Sequence, residues 1–246
     1  MKVAVVMQAR MGSSRLPGKI LAPLLEQPIL SVIVRRLARL AADAGWIATS
    51  REAPDAVTAA WGSALGWSVF RGDETDVLSR FTGIARACRP DWIVRLTADN
   101  PFVDAGIVAC LVETARQASA SVALIRSAGA AFPLGYVPEI VRAEALLEAE
   151  KQIPPDQGFH RSHVTSWVAE KVGMQPVACP SEWPRRPGWR WTVDTESDYR
   201  MATAAFGLWR EEWRTIDYPE MAHRLDAHPE IVGINAHIGQ KDLKES

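Results

Sequence analysis

Apolar residues along this chain alternate between short runs and helical stripes. Val3-Ala4-Val5-Val6-Met7 is an apolar run of strand length. Ile29, Ile33, Leu37 and Leu40 then recur at helical spacing, which predicts an amphipathic helix with Arg35, Arg36 and Arg39 on a cationic outer face. Trp46–Ser50 reads as a second strand. A helix follows from Pro54 with Val57, Trp61 and Leu65 on one face, and Trp67–Phe70 reads as a third strand. Val77, Phe81, Ile84 and Cys88 mark another helix, capped by Asp73 or Thr75. Trp92–Thr97 is apolar on both faces, as in a central parallel strand. Asp104 caps a helix with Ile107, Leu111 and Ala115 on one face, and Val122–Arg126 is a further strand.

Beyond residue 130 the pattern predicts helices over Ala143–Lys151 and Gln157–Lys171 and a strand at Met174–Val177. Trp189–Val193 reads as a strand ending in an acidic turn that caps a helix over Ser197–Glu212. The alternation of β and α elements predicts an α/β fold, a mostly parallel sheet flanked by helices, in one domain over 1–246.

Composition narrows the class. Hydrophobic residues make up 48%, enough for a large core without disulfides, and a net charge of −1 gives no global attraction for nucleic acid or an anionic membrane. Cys88, Cys110 and Cys179 are far apart, which excludes a disulfide framework and a structural zinc site and points to a cytoplasmic location. No apolar run reaches the roughly 18 residues of a membrane span, and no signal-peptide pattern precedes the first loop. His160 and His163 stand at i, i+3 but have no third ligand nearby.

The candidate chemistry starts after the first strand. The stretch Gln8 to Lys19 holds Arg10, Arg15, Lys19 and two glycines, and no acidic residue occurs before Glu26. A cationic, glycine-containing loop at the carboxyl end of a parallel strand suits an anion. It is not the phosphate loop of ATPases, because five residues separate Gly12 from Gly18 and Ile20 stands where that motif has a hydroxyl. Asp99 and Asp194 each follow a predicted strand, where open α/β sheets place ligands; both also read as ordinary turn or cap residues.

Gln8-Ala9-Arg10-Met11-Gly12-Ser13-Ser14-Arg15-Leu16-Pro17-Gly18-Lys19 resembles the opening signature of nucleotidyltransferases that make CMP-activated acidic sugars. The nearest branch is the spore-coat-polysaccharide cytidylyltransferases; the acylneuraminate and 3-deoxy-manno-octulosonate cytidylyltransferases are further off. Arg71 to Phe81, Thr97 to Pro101, Phe132 to Glu139, His163-Val164-Thr165, Trp191 to Asp198 and the tail to Lys241 are similar to later blocks of the family.

The resemblance implies a nucleotide-diphospho-sugar-transferase-like fold, with 132–188 as an acceptor-binding excursion that pairs two subunits. It implies a cytoplasmic, Mg²⁺-dependent homodimer that transfers a cytidylyl group from CTP to a sugar acid. Ala9, Arg10, Gly12, Ser13, Arg15, Lys19, Arg71 and Arg80 would contact the nucleotide. Asp99 and Asp194 would hold Mg²⁺ and, with Arg15 and Lys19, form the catalytic set. Gly135, Glu139, His163 and Arg190 would face the acceptor. Trp167 and Trp183 lie in the proposed pairing segment and Trp189 directly follows it. The chain departs from the family at Ala98, Asn100, Leu134, a non-acidic neighbour of Pro138, and Ser162. A glycosyltransferase of similar fold would favour Asp-x-Asp, which the Asp99 turn lacks; a nucleotide-binding, non-catalytic relative is the other alternative.

Overall fold

The structure, a computed structural model, describes residues 1–40, 43–127, 131–154 and 156–240, so the tail position Lys241 lies outside the described residues. β1 (Val3–Gln8) leads into a loop with one 3₁₀ turn (Lys19–Leu21) and a small hairpin, β2 (Pro23–Leu24) and β3 (Gln27–Pro28). Then come α1 (Ile29–Arg36), β4 (Ala44–Ser50), α2 (Ala56–Ala64), β5 (Ser68–Gly72), α3 (Val77–Cys88), β6 (Trp92–Thr97), α4 (Ala105–Gln117) and β7 (Val122–Arg126). The rest are β8 (Glu139–Arg142), α5 (Ala143–Gln152), α6 (Gly158–Ser162), α7 (Ser166–Lys171), β9 (Gly173–Pro176), α8 (Glu196–Leu208), α9 (Tyr218–Asp226) and α10 (Pro229–Val232).

Seven strands form one sheet in the order β5-β4-β1-β6-β8-β7-β9, and β8 alone among its described strands runs antiparallel to its neighbours. Successive side chains of β1 point to opposite faces. Val3, Val5 and Met7 enter a core shared with α1, α4 and α8, while Ala4 and Val6 enter a second core with α3 and α5. Burial on both faces explains why β1 and β6 read as apolar runs rather than alternating patterns. The chain leaves β1 toward β4 on one side, and β6 lies on the other side of β1. The loops after β1 and β6 therefore diverge at the switch point of the sheet, where such folds form a crevice.

Several local expectations change. α2 buries Thr58 and Gly62, not Val57 and Trp61, which are 39% and 38% exposed. A Cβ at Gly62 would lie 2.7 Å from Ile47, so the bare glycine brings the helix close to the sheet. Arg36 is 2% exposed rather than on a cationic outer face. Its guanidinium donates to the carbonyls of Val103 (2.9 Å), Ile216 (3.1 Å) and Trp213, which satisfies a charge the hydrophobic stripe had assigned to solvent. Asp76, not Asp73 or Thr75, caps α3 through Ser79 N–H. The helix expected over 157–171 breaks into α6 and α7 around Val164, whose φ is +40°. The segment 189–194 is irregular rather than a strand. It is fixed by Trp191 N–H to the Leu134 carbonyl (2.8 Å) and Val193 N–H to the Asp99 carbonyl (2.8 Å). Residues 132–188 supply β8 and β9 to the main sheet.

Candidate active site

The loop after β1 starts from a fixed anchor. Asp55, 3% exposed, accepts from Met11 N–H at 2.6 Å and from Ser50 N–H at 3.2 Å, tying the loop to the end of β4. Gly18 has φ +70°, which turns the chain back so that Gly18 N–H reaches the Met11 carbonyl at 3.1 Å. The 3₁₀ turn that follows aims Lys19 inward.

There Lys19 Nζ donates to Asp99 Oδ2 at 2.6 Å and to Asp194 Oδ1 at 2.7 Å. Asp99 follows β6. Its neighbour Ala98 does not take a left-handed backbone, so the alanine sits there without strain. Asp194 precedes α8, whose N-terminus is closed by a capping box between Thr195 and Asp198. The second oxygen of Asp194 is held separately: Arg190 Nη2 donates to Oδ2 at 2.7 Å and Arg15 Nη2 lies 3.4 Å from it. Arg190 is itself anchored by Asp198 (2.8 Å), and Asn235 donates to Asp198 (2.9 Å) and to the Arg190 carbonyl (3.0 Å). Arg15, Lys19, Asp99, Asp194 and Arg190 thus converge on one point at the carboxyl ends of β1 and β6.

Charge follows geometry. Burial opposes ionisation of Asp194, but the Lys19 ammonium outweighs it, with Arg15 and Arg190 adding to it, and holds the carboxyl below its usual range. Burial likewise works against the Lys19 ammonium, and Asp99 and Asp194 together raise its pKa. At Asp198 burial is outweighed by Arg190 and Asn235, and the carboxyl again sits low.

Two adjoining cavities flank this point. One of about 270 Å³ is lined by the loop, including Arg10, Gly12, Ser13 and Lys19. The other, about 590 Å³, is lined by Arg10, Arg95, Arg161, His163, Gly135 and Arg190 among others. Together they present six cations (Arg10, Arg15, Lys19, Arg95, Arg161, Arg190) and three carboxylates (Asp76, Asp99, Asp194). A chain with a net charge of −1 has gathered positive charge where a polyanion would lie.

The other expected residues stand apart from the converging point in different ways. Ala9 is buried and its N–H pairs with Ala48. Arg71 donates to the carbonyls of Ser50 (2.9 Å) and Glu52 (3.0 Å), so it braces the end of β4. Arg80 is 0% exposed, and none of its three guanidinium nitrogens has a hydrogen-bond partner among the described residues. Burial, then the neighbouring Arg10, lowers its pKa. Gly135, at φ +87°, packs so closely on Asn100 and Thr192 that it joins the Asp99 turn to the Asp194 segment. Glu139 accepts from Arg95 (3.0 Å) and Thr165 (2.7 Å), beneath the cleft rather than in it.

Sequence reasoning passed over Arg95, Gln8 and Arg161. Arg95 is the one cation inside the apolar run of β6, and that interruption was a usable signal; it reaches Gln8 at 3.3 Å. Arg161 joins Asp76 at 2.9 Å and the Ile153 carbonyl at 2.6 Å, contacts that exist only in the folded chain.

Comparison with known proteins follows the same line. The family model for cytidylyltransferases matches residues 4–174. The chain is 34% identical over 213 residues to the spore coat polysaccharide biosynthesis protein SpsF of Bacillus subtilis, covering 83% of this chain and 86% of that protein. It is 34% identical over 105 residues to a 3-deoxy-manno-octulosonate cytidylyltransferase of Anaeromyxobacter dehalogenans, 42% of each chain. Among solved structures, a cytidylyltransferase from Leptospira borgpetersenii serovar Hardjo-bovis superposes with a TM-score of 0.86 at 26% identity, covering 98% of this chain and 100% of that one. A CMP:2-keto-3-deoxy-manno-octonic acid synthetase solved with CTP shares the fold, with a TM-score of 0.63 at 15% identity over 85% of this chain and 99% of that one.

Proposed function

From the premise that this chain belongs to the cytidylyltransferase family, we propose that it transfers the cytidylyl group of CTP to a hydroxyl of a sugar acid and releases pyrophosphate. The observation that carries this reading is Lys19 between Asp99 and Asp194, beneath a loop rich in cations and glycine.

Arg10, Arg15 and Lys19 would neutralise the β- and γ-phosphates, so that pyrophosphate leaves with less charge build-up. The sugar's hydroxyl oxygen attacks the α-phosphorus in line, forming the new P–O bond, and its proton passes to solvent. The bond to the α,β-bridging oxygen breaks and pyrophosphate carries off the electron pair. Asp99 and Asp194 suit Mg²⁺, since both offer hard carboxylate oxygens, one from each side of Lys19. The described residues contain no group of three or more His, Cys, Asp or Glu able to hold a metal, so phosphate oxygens would complete the shell. When bound, Mg²⁺ would polarise the phosphates and lower the pKa of the acceptor hydroxyl. Arg161, His163 and Arg190 line the larger cavity, where an acidic acceptor would sit. Gly135 and Glu139 act there by packing and by bracing Arg95.

A homodimer completes the proposal. β9 forms one edge of the sheet, and of the exposed apolar residues Met174 lies in it and Val172 directly precedes it. Trp167, Trp183 and Trp189 pack against the chain's own cores, so they are not the main contact area. Among the described residues no helix is long and apolar enough to cross a membrane.

The decisive experiment is pyrophosphate release with CTP, ATP, GTP or UTP against a panel of sugar acids in Mg²⁺. CTP-selective release that depends on the acid supports the proposal. Release from another nucleotide, or from none, overturns it. Sedimentation at micromolar concentration tests the dimer, and a monomer would refute that part.

A further inference from the structure

The two carboxylates are brought together by an amine. Lys19 lies 80 positions from Asp99 and 175 from Asp194, yet its ammonium is within 2.6 and 2.7 Å of one oxygen of each. Its side chain is 11% exposed. Without a cation between them, two partly buried carboxylates would repel each other strongly. A divalent cation held by Asp99 and Asp194 would compete with Lys19 for the oxygens that the ammonium now occupies.

We infer that Lys19 is a resident counter-cation: it holds Asp99 and Asp194 together in the nucleotide-free protein and is drawn off by the triphosphate, so that a divalent cation enters only with the nucleotide. This rests on the cytidylyltransferase reading of the site. The division of Asp194 between partners supports it. Lys19 takes Oδ1, whereas Arg190 and Arg15 take Oδ2. When Lys19 leaves, Arg190 keeps the carboxylate aimed while Asp194 Oδ1 and Asp99 Oδ2 become available. The move is short. Lys19 also lines the cavity of about 270 Å³ with Gly12, Ser13 and Ser14, and a lysine stem can reorient about a fixed backbone. A triphosphate in that cavity offers the ammonium a more highly charged partner than either carboxylate.

The test measures Mn²⁺ binding without nucleotide, by the electron paramagnetic resonance signal of free Mn²⁺. Wild-type protein should bind Mn²⁺ weakly. Lys19→Met, which keeps the stem and removes the charge, should bind it at least about tenfold more tightly, because the ion meets two carboxylates with no competitor. Adding Asp99→Asn to Lys19→Met should return the affinity to the wild-type level. CTP should raise Mn²⁺ affinity strongly in wild type and less in Lys19→Met, since the variant has no ammonium to displace. Equal Mn²⁺ affinity in wild type and Lys19→Met, or a gain that survives Asp99→Asn, overturns the inference. Lys19→Gln serves in the same experiment should the methionine variant not fold. Metal binding is read without turnover. A failed pyrophosphate assay would therefore sink the functional reading while leaving the counter-cation result to stand or fall separately.

Discussion

Asp194→Asn separates charge from shape at the converging point. In the wild type one oxygen of Asp194 accepts from Lys19 at 2.7 Å and the other from Arg190 at 2.7 Å, with Arg15 at 3.4 Å. Asparagine can accept from only one side. Its NH₂ then faces an ammonium or a guanidinium, donor against donor. Charge-assisted hydrogen bonds are worth about 1.5–3 kcal/mol each. The side chain is 19% exposed, and loss of a partly buried charge also relieves desolvation. The net destabilisation should therefore be about 1–3 kcal/mol, a fall in melting temperature of roughly 3–10 °C for a chain of this size. Arg190 keeps Asp198, so the fold persists. If the proposed mechanism holds, turnover should fall much further, by about two to three orders of magnitude, because the carboxylate would help hold the divalent cation that neutralises charge on the phosphates. The assay is pyrophosphate release at saturating CTP and Mg²⁺, beside a thermal melt. A folded variant whose turnover stays within about threefold of wild type would show that the carboxylate serves only the turn.

Three further outcomes are expected. Gly135→Ala places a Cβ 2.7 Å from Asn100 Oδ1 and 2.9 Å from the Thr192 nitrogen at φ +87°. Urea unfolding should show a loss of about 2–4 kcal/mol, and an unchanged midpoint would mean that this junction yields freely. Arg80→Met removes a buried guanidinium that has no hydrogen-bond partner among the described residues and lines neither cavity, so stability should hold or rise and CTP affinity should stay within about threefold; a tenfold fall in affinity would show that the buried charge acts on the nucleotide. The folded carboxyl of Asp198 is held low, so its contribution to stability is present above about pH 4 and is lost as pH falls through the depressed value. Asp198→Asn should flatten the acid limb of a stability–pH curve, and an unaltered limb would assign acid unfolding to other groups.

The parts legible in the sequence were those decided locally. β1 and β6 are bounded apolar runs, Asp104 begins a helix by capping Ile107 N–H at 2.9 Å, and the cationic loop is contiguous. What escaped was decided by distant partners. Hydrophobicity put Val57 and Trp61 inward, but the small Thr58 and Gly62 let the helix approach the sheet. The alternation at 189–193 looks like a strand, yet Leu134 and Asp99 fix that segment without a ladder. The resemblance assigned Glu139 to the acceptor, and the fold adds partners for it, Arg95 and Thr165, that the sequence did not pair with it. Asp99 and Asp194 were identifiable as candidates, whereas their joint hold on Lys19 needed the tertiary fold.

The cage around Arg36 has a consequence for how the protein comes into being. A ribosome delivers the amino-terminal half first. Yet Arg36, in the first helix, needs carbonyls that arrive 177 and 180 positions later, at Trp213 and Ile216. Until then its guanidinium must remain hydrated, and the helix cannot settle fully onto the nascent sheet. Asn235 closes the Arg190–Asp198 pair in the same late fashion. The half-made polypeptide therefore exposes apolar surface through much of its synthesis. The cage around Arg36 can close only once residue 216 has been made, which makes the unfinished chain, more than the finished one, the form at risk of aggregation.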